Sequence, residues 1–390
     1  MAYAEGGVFF DADSHLMETA HWLDGYADPD VRAILGPLDL GAAGSLAEQS
    51  VAKADTRRRD TAARTRAEEG LMQIKGWDAL GAIDSDERTL ALDLLGFSRQ
   101  LVFSTFAITQ FWGIFKRRFD DPKILYGGAR AHNRAIADFC ARDQRLIAVG
   151  FVPLDVPELA EREIDEAIRL GCGAIQVPAE PAGEVSPTHP SLNGVWARLA
   201  DADVPFMLHV GGGGMVTPPA YVNNGRPRGT DFVGGGENLR ARDFMVTHYP
   251  PETFLSAMVL DGVLEQFPRL RCGCIELGAM WVVPWIRRLD IAQEAFARTE
   301  PALAALKMRA SDYVRRQLRF TPFAHEPVGW MIENAGDDLF LFSSDYPHPE
   351  GGRNPLKRFE SSIANVSAAA RERFYSRNFA DMMGSRAALG

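Results

Sequence analysis

The sequence predicts an α/β protein that folds as a (β/α)8 TIM barrel, with residues 1–390 in a single domain and long inserted loops after strands 1 and 5. Two observations predict this fold. Short apolar segments alternate with amphipathic helical segments along the whole chain, which is the pattern of parallel strands joined by helices. Polar, metal-binding side chains stand at the ends of several apolar segments, where barrel enzymes build their active sites.

Eight apolar segments are predicted as strands: Val8–Asp13, Gln100–Ser104, Leu146–Leu154, Gly173–Val177, Pro205–Val210, Leu270–Glu276, Gln317–Thr321 and Leu339–Ser343. Amphipathic patterns between them predict helices, for example Pro157–Leu170, Leu192–Ala202 and Met280–Arg298. An open doubly wound sheet is the structural alternative. No G-x-G-x-x-G motif follows the first strand, which weakens a dinucleotide-binding version of that alternative. The connections 16–84 and 211–247 are too long for simple turns, and such loops are usually functional or disordered.

Composition and charge limit the class of protein. Hydrophobic residues make up 46% and charged residues 24% of the chain, as in ordinary soluble globular proteins. The net charge of −10 disfavours nucleic acid and anionic membrane as partners, because both repel a negative surface. No apolar run reaches the roughly 18 residues of a membrane span, and no signal peptide pattern opens the chain. The chain has only four cysteines, which is typical of a reducing compartment, so we expect a cytoplasmic protein. We expect its substrate to be a small molecule.

Metal-binding side chains end four of the predicted strands. Strand 1 ends in Asp13 and His15, strand 5 in His209, strand 6 in Glu276 and strand 8 in Asp345. Any one of these residues alone is more often a cap or a hydrogen-bonded loop residue. Four matching positions in one barrel instead favour a shared site. Imidazole and carboxylate ligands of this kind suit zinc, manganese or iron and leave positions open for water or substrate.

The alternation of side chains along a strand predicts how these groups point. Asp11, Asp13 and His15 are expected on one face of strand 1. On the later strands we expect one set of side chains to face the helices and the other set to face the barrel axis. The first set is Leu208, Ile275 and Ser344, and the second is His209, Glu276 and Asp345.

Other candidate residues carry weaker signals. His248, Arg226 and Arg240 belong to the long connection after strand 5, and His348 closely follows Asp345; these four are predicted to bind substrate. An arginine there has the forked geometry that matches a carboxylate. The cysteines of strand 6, Cys272 and Cys274, are better explained as small core residues than as metal ligands. His132 and His189 are expected to have structural roles.

Four stretches of the chain resemble one family. They are FFDADSHLME, HPSLNGVWARLADADVPFMLHVGG, FPRLRCGCIELGAMWVVPWIRRLD and LFSSDYPHPEGG, and they are spread over nearly the whole length. In combination they are similar to the amidohydrolase-related family of metal-dependent hydrolases and decarboxylases, which includes aminocarboxymuconate-semialdehyde decarboxylase. The resemblance implies a barrel with one divalent metal, zinc before manganese or iron, and no organic cofactor. Members are often dimers, so it leaves a homodimer open.

The resemblance also implies roles for particular residues. The metal ligands fall on Asp13, His15, His209 and Asp345, although members have His or Glu where this chain has Asp13. The decarboxylases carry a His at the end of strand 6, and this chain has Glu276. Glu276 is therefore expected to act as a catalytic base or as a metal ligand, with Asp345 as the second catalytic group.

Two reactions follow from these roles. The leading hypothesis is nonoxidative decarboxylation of an aromatic or unsaturated carboxylic acid, with Asp345 or Glu276 passing a proton to the carbon that loses CO2. The alternative is hydrolysis of a C–N, C–O or C–C bond by a metal-bound water, with Glu276 or Asp345 as base. A lyase or cyclase reaction on a biosynthetic intermediate is a third possibility. The hypothesis in which the protein is not an enzyme is a barrel that has lost its metal and only binds a ligand or a partner protein.

Overall fold

The computed structural model describes residues 2–41, 44–111, 119–211, 217–227 and 240–388. Seven strands form one parallel sheet in chain order, each paired with the next. They are β1 (Phe10–Asp11), β2 (Arg99–Val102), β3 (Leu146–Phe151), β4 (Ala174–Gln176), β5 (Phe206–His209), β6 (Cys272–Ile275) and β7 (Leu318–Phe320). All seven lie inside or within one residue of the predicted segments, which confirms a parallel α/β architecture.

The eighth predicted strand, Leu339–Ser343, is not a regular strand, so the predicted number of strands is wrong. The segment nevertheless lies between the two ends of the sheet. Leu341 N–H donates to Phe320 O of β7 (2.9 Å), and Ala12 N–H, next to β1, donates to Phe342 O (3.0 Å). The N–H of Phe342 donates instead to Phe374 O (2.9 Å), which interrupts the ladder. These bonds join β7 to β1 and curl the sheet around on itself.

Helices connect the strands. They are α1 (Pro29–Leu35), α2 (Gly44–Arg59), α3 (Thr61–Glu69), α4 (Ser85–Leu95), α5 (Ala107–Phe111), α6 (Pro122–Cys140), α7 (Pro157–Arg169), α8 (Asn193–Asp201), α9 (Pro219–Val222), α10 (Ala241–Val246), α11 (Tyr249–Leu260), α12 (Val263–Gln266), α13 (Val282–Phe296), α14 (Pro301–Ala304), α15 (Ala310–Gln317), α16 (Val328–Ala335), α17 (Pro355–Ser362), α18 (Ala368–Glu372) and α19 (Asn378–Met383). No helix among the described residues is both long and apolar enough to cross a membrane.

The sequence of α7 shows why such segments form helices. Pro157 stands in the first turn, where its fixed φ suits a helix and its missing N–H is not needed. Ala160, Ile164 and Ala167 recur at helical spacing and are buried, while charged residues cover the other side. Burying a side chain such as Ile164 contributes about 1.5–3 kcal/mol, so packing on the sheet stabilises the helix.

The two long connections contain helices. The helices α1, α2 and α3 lie within residues 16–84. The described part of 211–247 contains the short helices α9 and α10. Gly212–Gly214 and Arg228, which belong to the predicted loop, lie outside the described residues.

The core has two layers. The inner layer lies inside the curled sheet and takes apolar side chains from nearly every strand, including Phe10, Leu101, Val149, Met207 and Ile275. Helix α19 packs against this layer through Phe379 and Met382. The outer layer fills the space between the sheet and the surrounding helices. With both faces of the sheet covered by apolar side chains, polar groups gather at the strand ends.

Candidate metal centre

Six buried side chains meet where β1, β5, β6 and the segment 345–348 come together. We call them the ligand cluster: Asp13, His15, His209, Glu276, Asp345 and His348. They form two overlapping groups in which the metal-binding atoms lie within 4.8 Å of one another. The first group is Asp13, His15, His209 and Glu276, and the second is His15, Glu276, Asp345 and His348. The structure thus brings together all four ligands predicted from the sequence, and it adds Glu276 and His348.

Asp13 lies close to both imidazoles of the first group. Its Oδ1 lies 3.3 Å from His15 Nε2 and 3.4 Å from His209 Nε2. Glu276 Oε2 lies 3.5 Å from His209 Nε2 and 3.8 Å from His15 Nε2. Ligands that hold one ion at bonds of about 2.0–2.2 Å are separated by distances of this order.

Backbone carbonyls orient two of the imidazoles. His15 Nδ1 lies 3.2 Å from Ser104 O, and His209 Nδ1 lies 2.9 Å from Val210 O. Because a carbonyl oxygen only accepts, Nδ1 carries the proton in both rings. The lone pair of each Nε2 therefore points at the carboxylates. A hydrogen bond of this kind is the usual way in which a metal-binding His is held in the correct tautomer.

A hydroxyl orients the third imidazole. Thr105 Oγ1 donates to Leu16 O (2.7 Å), so it accepts from His348 Nε2, which is 2.9 Å away. The lone pair of His348 Nδ1 then faces Asp345 Oδ1 at 3.1 Å. The ring of His348 stacks on that of His15, with centroids 3.8 Å apart. A lone pair and a carboxylate oxygen in contact repel each other unless a cation or a proton lies between them.

The pKa values of the carboxyl groups in the ligand cluster also indicate a cation-binding site. Burial, together with the neighbouring Asp13, raises the pKa of Asp345 to about 7. Burial and the charge of Asp345 raise the pKa of Glu276 well above its usual value. Burial also opposes ionisation of Asp13, and it is positive charge on His15 and His209 that lowers this pKa, so neutral imidazoles leave the carboxylate without a counter-charge. Three carboxylates in one buried site thus compete for positive charge, which a divalent cation supplies.

One further atom supports a cation here. Glu276 Oε2 is buried without a hydrogen-bond partner among the described residues. Leaving a buried carboxylate oxygen unsatisfied is costly, and a metal ion would satisfy it. The chemistry of these donors fits a divalent metal.

The alternation predicted for strand 6 is wrong at its end. Ile275, expected to face the helices, packs in the inner core layer with Met207. Cys274 accordingly faces the helices, and regular alternation would send Glu276 the same way. Instead, β6 ends at Ile275, and Glu276 has a φ of 54°, which turns its carboxylate into the cluster. Asp345, with a φ of 50°, shows the same left-handed backbone, which is uncommon outside glycine and typical of functional sites.

The alternation predicted for strand 1 also fails. Asp11, Asp13 and His15 were expected on one face, but β1 ends at Asp11. The side chain of Asp11 bonds to Gln100 and Ser344, away from the ligand cluster. Asp13 and His15 turn inward because the backbone bends at Ala12, whose side chain shares the inner layer with Phe10.

A second buried polar group lies beside the first, and we call it the support cluster: Asp11, Ser14, Arg88, Gln100 and Ser344. Asp11 accepts from Gln100 Nε2 (2.7 Å), from Ser344 N (2.7 Å) and from Ser344 Oγ (2.6 Å). Arg88, from α4, donates to Gln100 Oε1 (3.0 Å), Ser14 Oγ (2.9 Å) and His15 O (3.0 Å). The support cluster thus ties the backbone of two ligand-bearing segments to one helix.

The remaining predicted substrate residues make contacts of their own in or next to the long connection after β5. His248 is half-buried, stacks on Trp281 (centroids 5.8 Å apart) and lies 3.6 Å from Glu252. Arg226 is exposed, and its N–H donates to Asn224. Arg240 precedes α10, where its N–H donates to Asp243.

Other sequence interpretations are confirmed. Cys272 and Cys274 are fully buried core residues, and burial raises the pKa of both thiols, so neither is a reactive thiolate. His132 is buried, and His189 caps the turn at Pro190–Leu192. Sequence reasoning missed Lys75 and Arg88. No strand end or motif marks either residue.

Comparison with known proteins identifies relatives. The model of the amidohydrolase family matches residues 115–382. Gamma-resorcylate decarboxylase of Rhizobium radiobacter is 27% identical over 241 residues, which are 58% of this chain and 68% of that protein.

Two solved structures share the fold. An amidohydrolase from Mycobacterium avium subsp. paratuberculosis K-10 has a TM-score of 0.71 at 19% identity, over 98% of this chain and 99% of that one. The 5-carboxyvanillate decarboxylase of Novosphingobium aromaticivorans DSM 12444, solved as a point mutant with manganese and 3-methoxy-4-hydroxy-5-nitrobenzoic acid, has a TM-score of 0.63 at 18% identity, over 97% of each chain. Both likenesses extend over nearly the whole chain and support the curled parallel α/β fold.

Proposed function

The chain belongs to the amidohydrolase family, and on that premise we propose that it is a metal-dependent nonoxidative decarboxylase of an aromatic or unsaturated carboxylic acid. The observation that carries the proposal is the ligand cluster, in which imidazole lone pairs and three buried carboxylates converge. The relatives support the substrate class, since one is named for gamma-resorcylate and another for 5-carboxyvanillate. We also infer that the curled sheet, closed through residues 339–345, is the (β/α)8 barrel expected from the sequence.

We propose that Asp13, His15, His209 and Glu276 hold the metal, with Asp345 and His348 beside it. We propose that Glu276 is a ligand rather than a base, because its Oε2 lies 3.5 Å from His209 Nε2 and has no hydrogen-bond partner among the described residues. When bound, the metal would polarise the oxygens of an acid and hold developing negative charge. We favour manganese over the zinc expected from the sequence, because carboxylate-rich sites suit it and the Novosphingobium enzyme binds it.

The chain's own residues then supply the proton. Burial raises the pKa of Asp345 to about 7, so a substantial fraction of this carboxyl group is protonated at neutral pH. As the bond between the substrate carbon and its carboxylate breaks, CO2 leaves and the electron pair stays on the carbon. Asp345 donates its proton to that carbon, becomes a carboxylate and regains a proton from solvent. Its position 3.1 Å from His348 Nδ1 keeps the carboxyl group aimed into the cluster.

The test is release of CO2 by the manganese-loaded protein. We expect turnover of at least one member of a panel of hydroxybenzoates, carboxyvanillates and enoic acids. The Asp345→Asn variant, loaded to the same metal content, is the matched control and should release CO2 at least about 100-fold more slowly. If the loaded wild type releases no CO2 from the whole panel, decarboxylation is wrong.

Hydrolysis is the second candidate. The observation that favours it is a buried carboxyl, Asp345, with a pKa near neutrality, which suits a base that takes a proton from water. Amides and esters of the same aromatic acids, tested on the same preparation, separate the two reactions. Appearance of the free acid without CO2 would support hydrolysis.

A further inference from the structure

Lys75 lies in the connection after β1, and its backbone is held against the segment that carries Asp345 and His348. The next residue, Gly76, donates its N–H to Pro347 O (2.9 Å). Trp77 then stacks on Phe106, with centroids 5.1 Å apart, and donates to Glu18 O (2.9 Å). Lys75 is therefore fixed beside the ligand cluster by the contacts of the turn that follows it.

The ammonium group of Lys75 is in an unusual environment. Its Nζ is buried and has no hydrogen-bond partner among the described residues. It lies 5.7 Å from the centroid of the Tyr346 ring, next to Asp345 in sequence. Other lysines, such as Lys53, Lys123 and Lys307, are paired with a carboxylate and largely exposed. A buried ammonium that donates no hydrogen bond is expensive for a protein to keep, which indicates a binding role.

Carboxylates near Lys75 oppose the effect of burial and favour its charged form. Burial lowers its pKa to about 8, and attraction by Asp345, Glu350 and Asp11 opposes that effect. At neutral pH the group is therefore an ammonium with unused donors at the edge of a metal site. An anion placed there would contact a fixed cation and satisfy the donors at the same time.

We propose that Lys75 binds an anionic oxygen of the substrate beside the metal and so makes the site selective for acids over their neutral analogues. This inference rests on the proposed function, because it concerns the substrate of the same site. Lys75 acts in binding: its ammonium holds the acid before and during the reaction, so its loss raises KM more than it lowers kcat. Neutral amides of the same shape leave the ammonium without an acceptor and bind weakly.

The experiment measures the affinity of manganese-loaded protein for 2,6-dihydroxybenzoate and for 2,6-dihydroxybenzamide by calorimetry. Wild type should bind the acid at least about tenfold more tightly than the amide, which corresponds to about 1.4 kcal/mol. Lys75→Met should lose most of that preference, since only the metal then distinguishes the acid from the amide, while its affinity for the amide stays unchanged. Lys75→Arg, which keeps the charge, should retain most of the preference. Lys53→Met, which removes an exposed lysine, should match wild type.

Two results would overturn the inference. One is wild type with no preference for the acid, including a failure to bind it at all. The other is a Lys75→Met protein that keeps the preference. If Lys75→Met loses its metal, Lys75→Gln also removes the charge and provides the same comparison. A wild type that prefers the acid through Lys75 but releases no CO2 would contradict the proposed function alone.

Discussion

The ligand cluster and the support cluster lie side by side and are both buried, yet their polar atoms are arranged in opposite ways. In the support cluster donors and acceptors match. Asp11 accepts four hydrogen bonds, from Gln100, twice from Ser344 and from the backbone of Asp13, and Arg88 donates to Gln100, Ser14 and the carbonyl of His15. In the ligand cluster acceptors face acceptors, at distances of 3.1 to 3.8 Å. The first cluster is complete as protein, whereas the second needs a cation.

This difference indicates that the support cluster stabilises the fold and that the ligand cluster carries the chemistry. A satisfied buried network stabilises the fold, and removing one member leaves its partners unpaired. An unsatisfied cluster costs stability and is retained for function. Changes to the ligand cluster should therefore abolish activity and leave the fold intact. Changes to the support cluster should lower stability first.

The largest effect is expected from loss of a metal ligand. His209→Ala removes an imidazole from the group that holds the proposed ion, so we expect metal content to fall well below one per chain and CO2 release to drop to background. Elemental analysis and a CO2 assay measure both, and circular dichroism should show an intact fold. His189→Ala, at an exposed turn, is the control. Full metal content in His209→Ala would remove that residue from the site.

Asp345→Asn should give the next largest effect. The amide keeps the shape of the carboxyl group but cannot transfer its proton, so we expect kcat to fall by about 10²–10⁴. Metal content should stay close to that of wild type, because four other ligands remain. A kcat within threefold of wild type at full metal loading would exclude Asp345 as the proton donor. Asp93→Asn, an exposed carboxylate paired with Arg145, provides the matched control.

Arg88→Met tests whether the support cluster stabilises the fold. It leaves Gln100, Ser14 and the carbonyl of His15 without their donor inside the protein, so the free energy of unfolding should fall by about 3–5 kcal/mol. Urea denaturation measures it. Because Arg88 supports the backbone of His15, metal affinity should also fall by about 10–100-fold.

The control for Arg88 is Arg169→Met. Arg169 is exposed and pairs with Glu166 on the same helix, so this change should stay within about 0.5 kcal/mol of wild type. Equal stability of the two variants would mean that the support cluster contributes nothing to folding.

A smaller effect concerns pH and His132, which is linked to the ligand cluster through Ser104: its Nε2 lies 3.0 Å from Ser104 Oγ, and Ser104 O lies 3.2 Å from His15 Nδ1. Burial lowers its pKa to about 4, so between pH 6.5 and 4 the unfolded chain binds a proton that the folded chain does not. The contribution of His132 to stability is therefore complete above pH 6.5 and decreases as the pH falls. From pH 6.5 to 5.5 the loss should be about 1 kcal/mol.

His132→Gln isolates this effect. Between pH 6.5 and 5.5 the free energy of unfolding of wild type should fall by about 1 kcal/mol because of His132, and the variant should lack this decrease. Parallel urea curves at the two pH values would show it as a difference in pH dependence. An identical pH dependence in both proteins would contradict a neutral, buried His132.

Much of the fold and the site followed from the sequence. The apolar segments placed the strands, since burial in a parallel sheet needs continuous apolar runs. The residues at the strand ends supplied Asp13, His15, His209 and Asp345, because carboxyl ends of parallel strands meet at one face. The identity of the proposed metal was less accessible from the sequence, since one set of ligands serves several ions.

The tertiary structure alone decided how those residues point and what supports them. Strand alternation placed Glu276 correctly for the wrong reason, since Ile275 faces inward and a left-handed φ of 54° returns Glu276 to the cluster. Lys75 and Arg88 come from segments remote in sequence, and no local pattern marks a side chain whose role depends on distant neighbours. The sequence determined which groups gather at the strand ends, because periodicity and burial are local properties. Backbone bends and long-range packing decided their roles, because both depend on the folded chain.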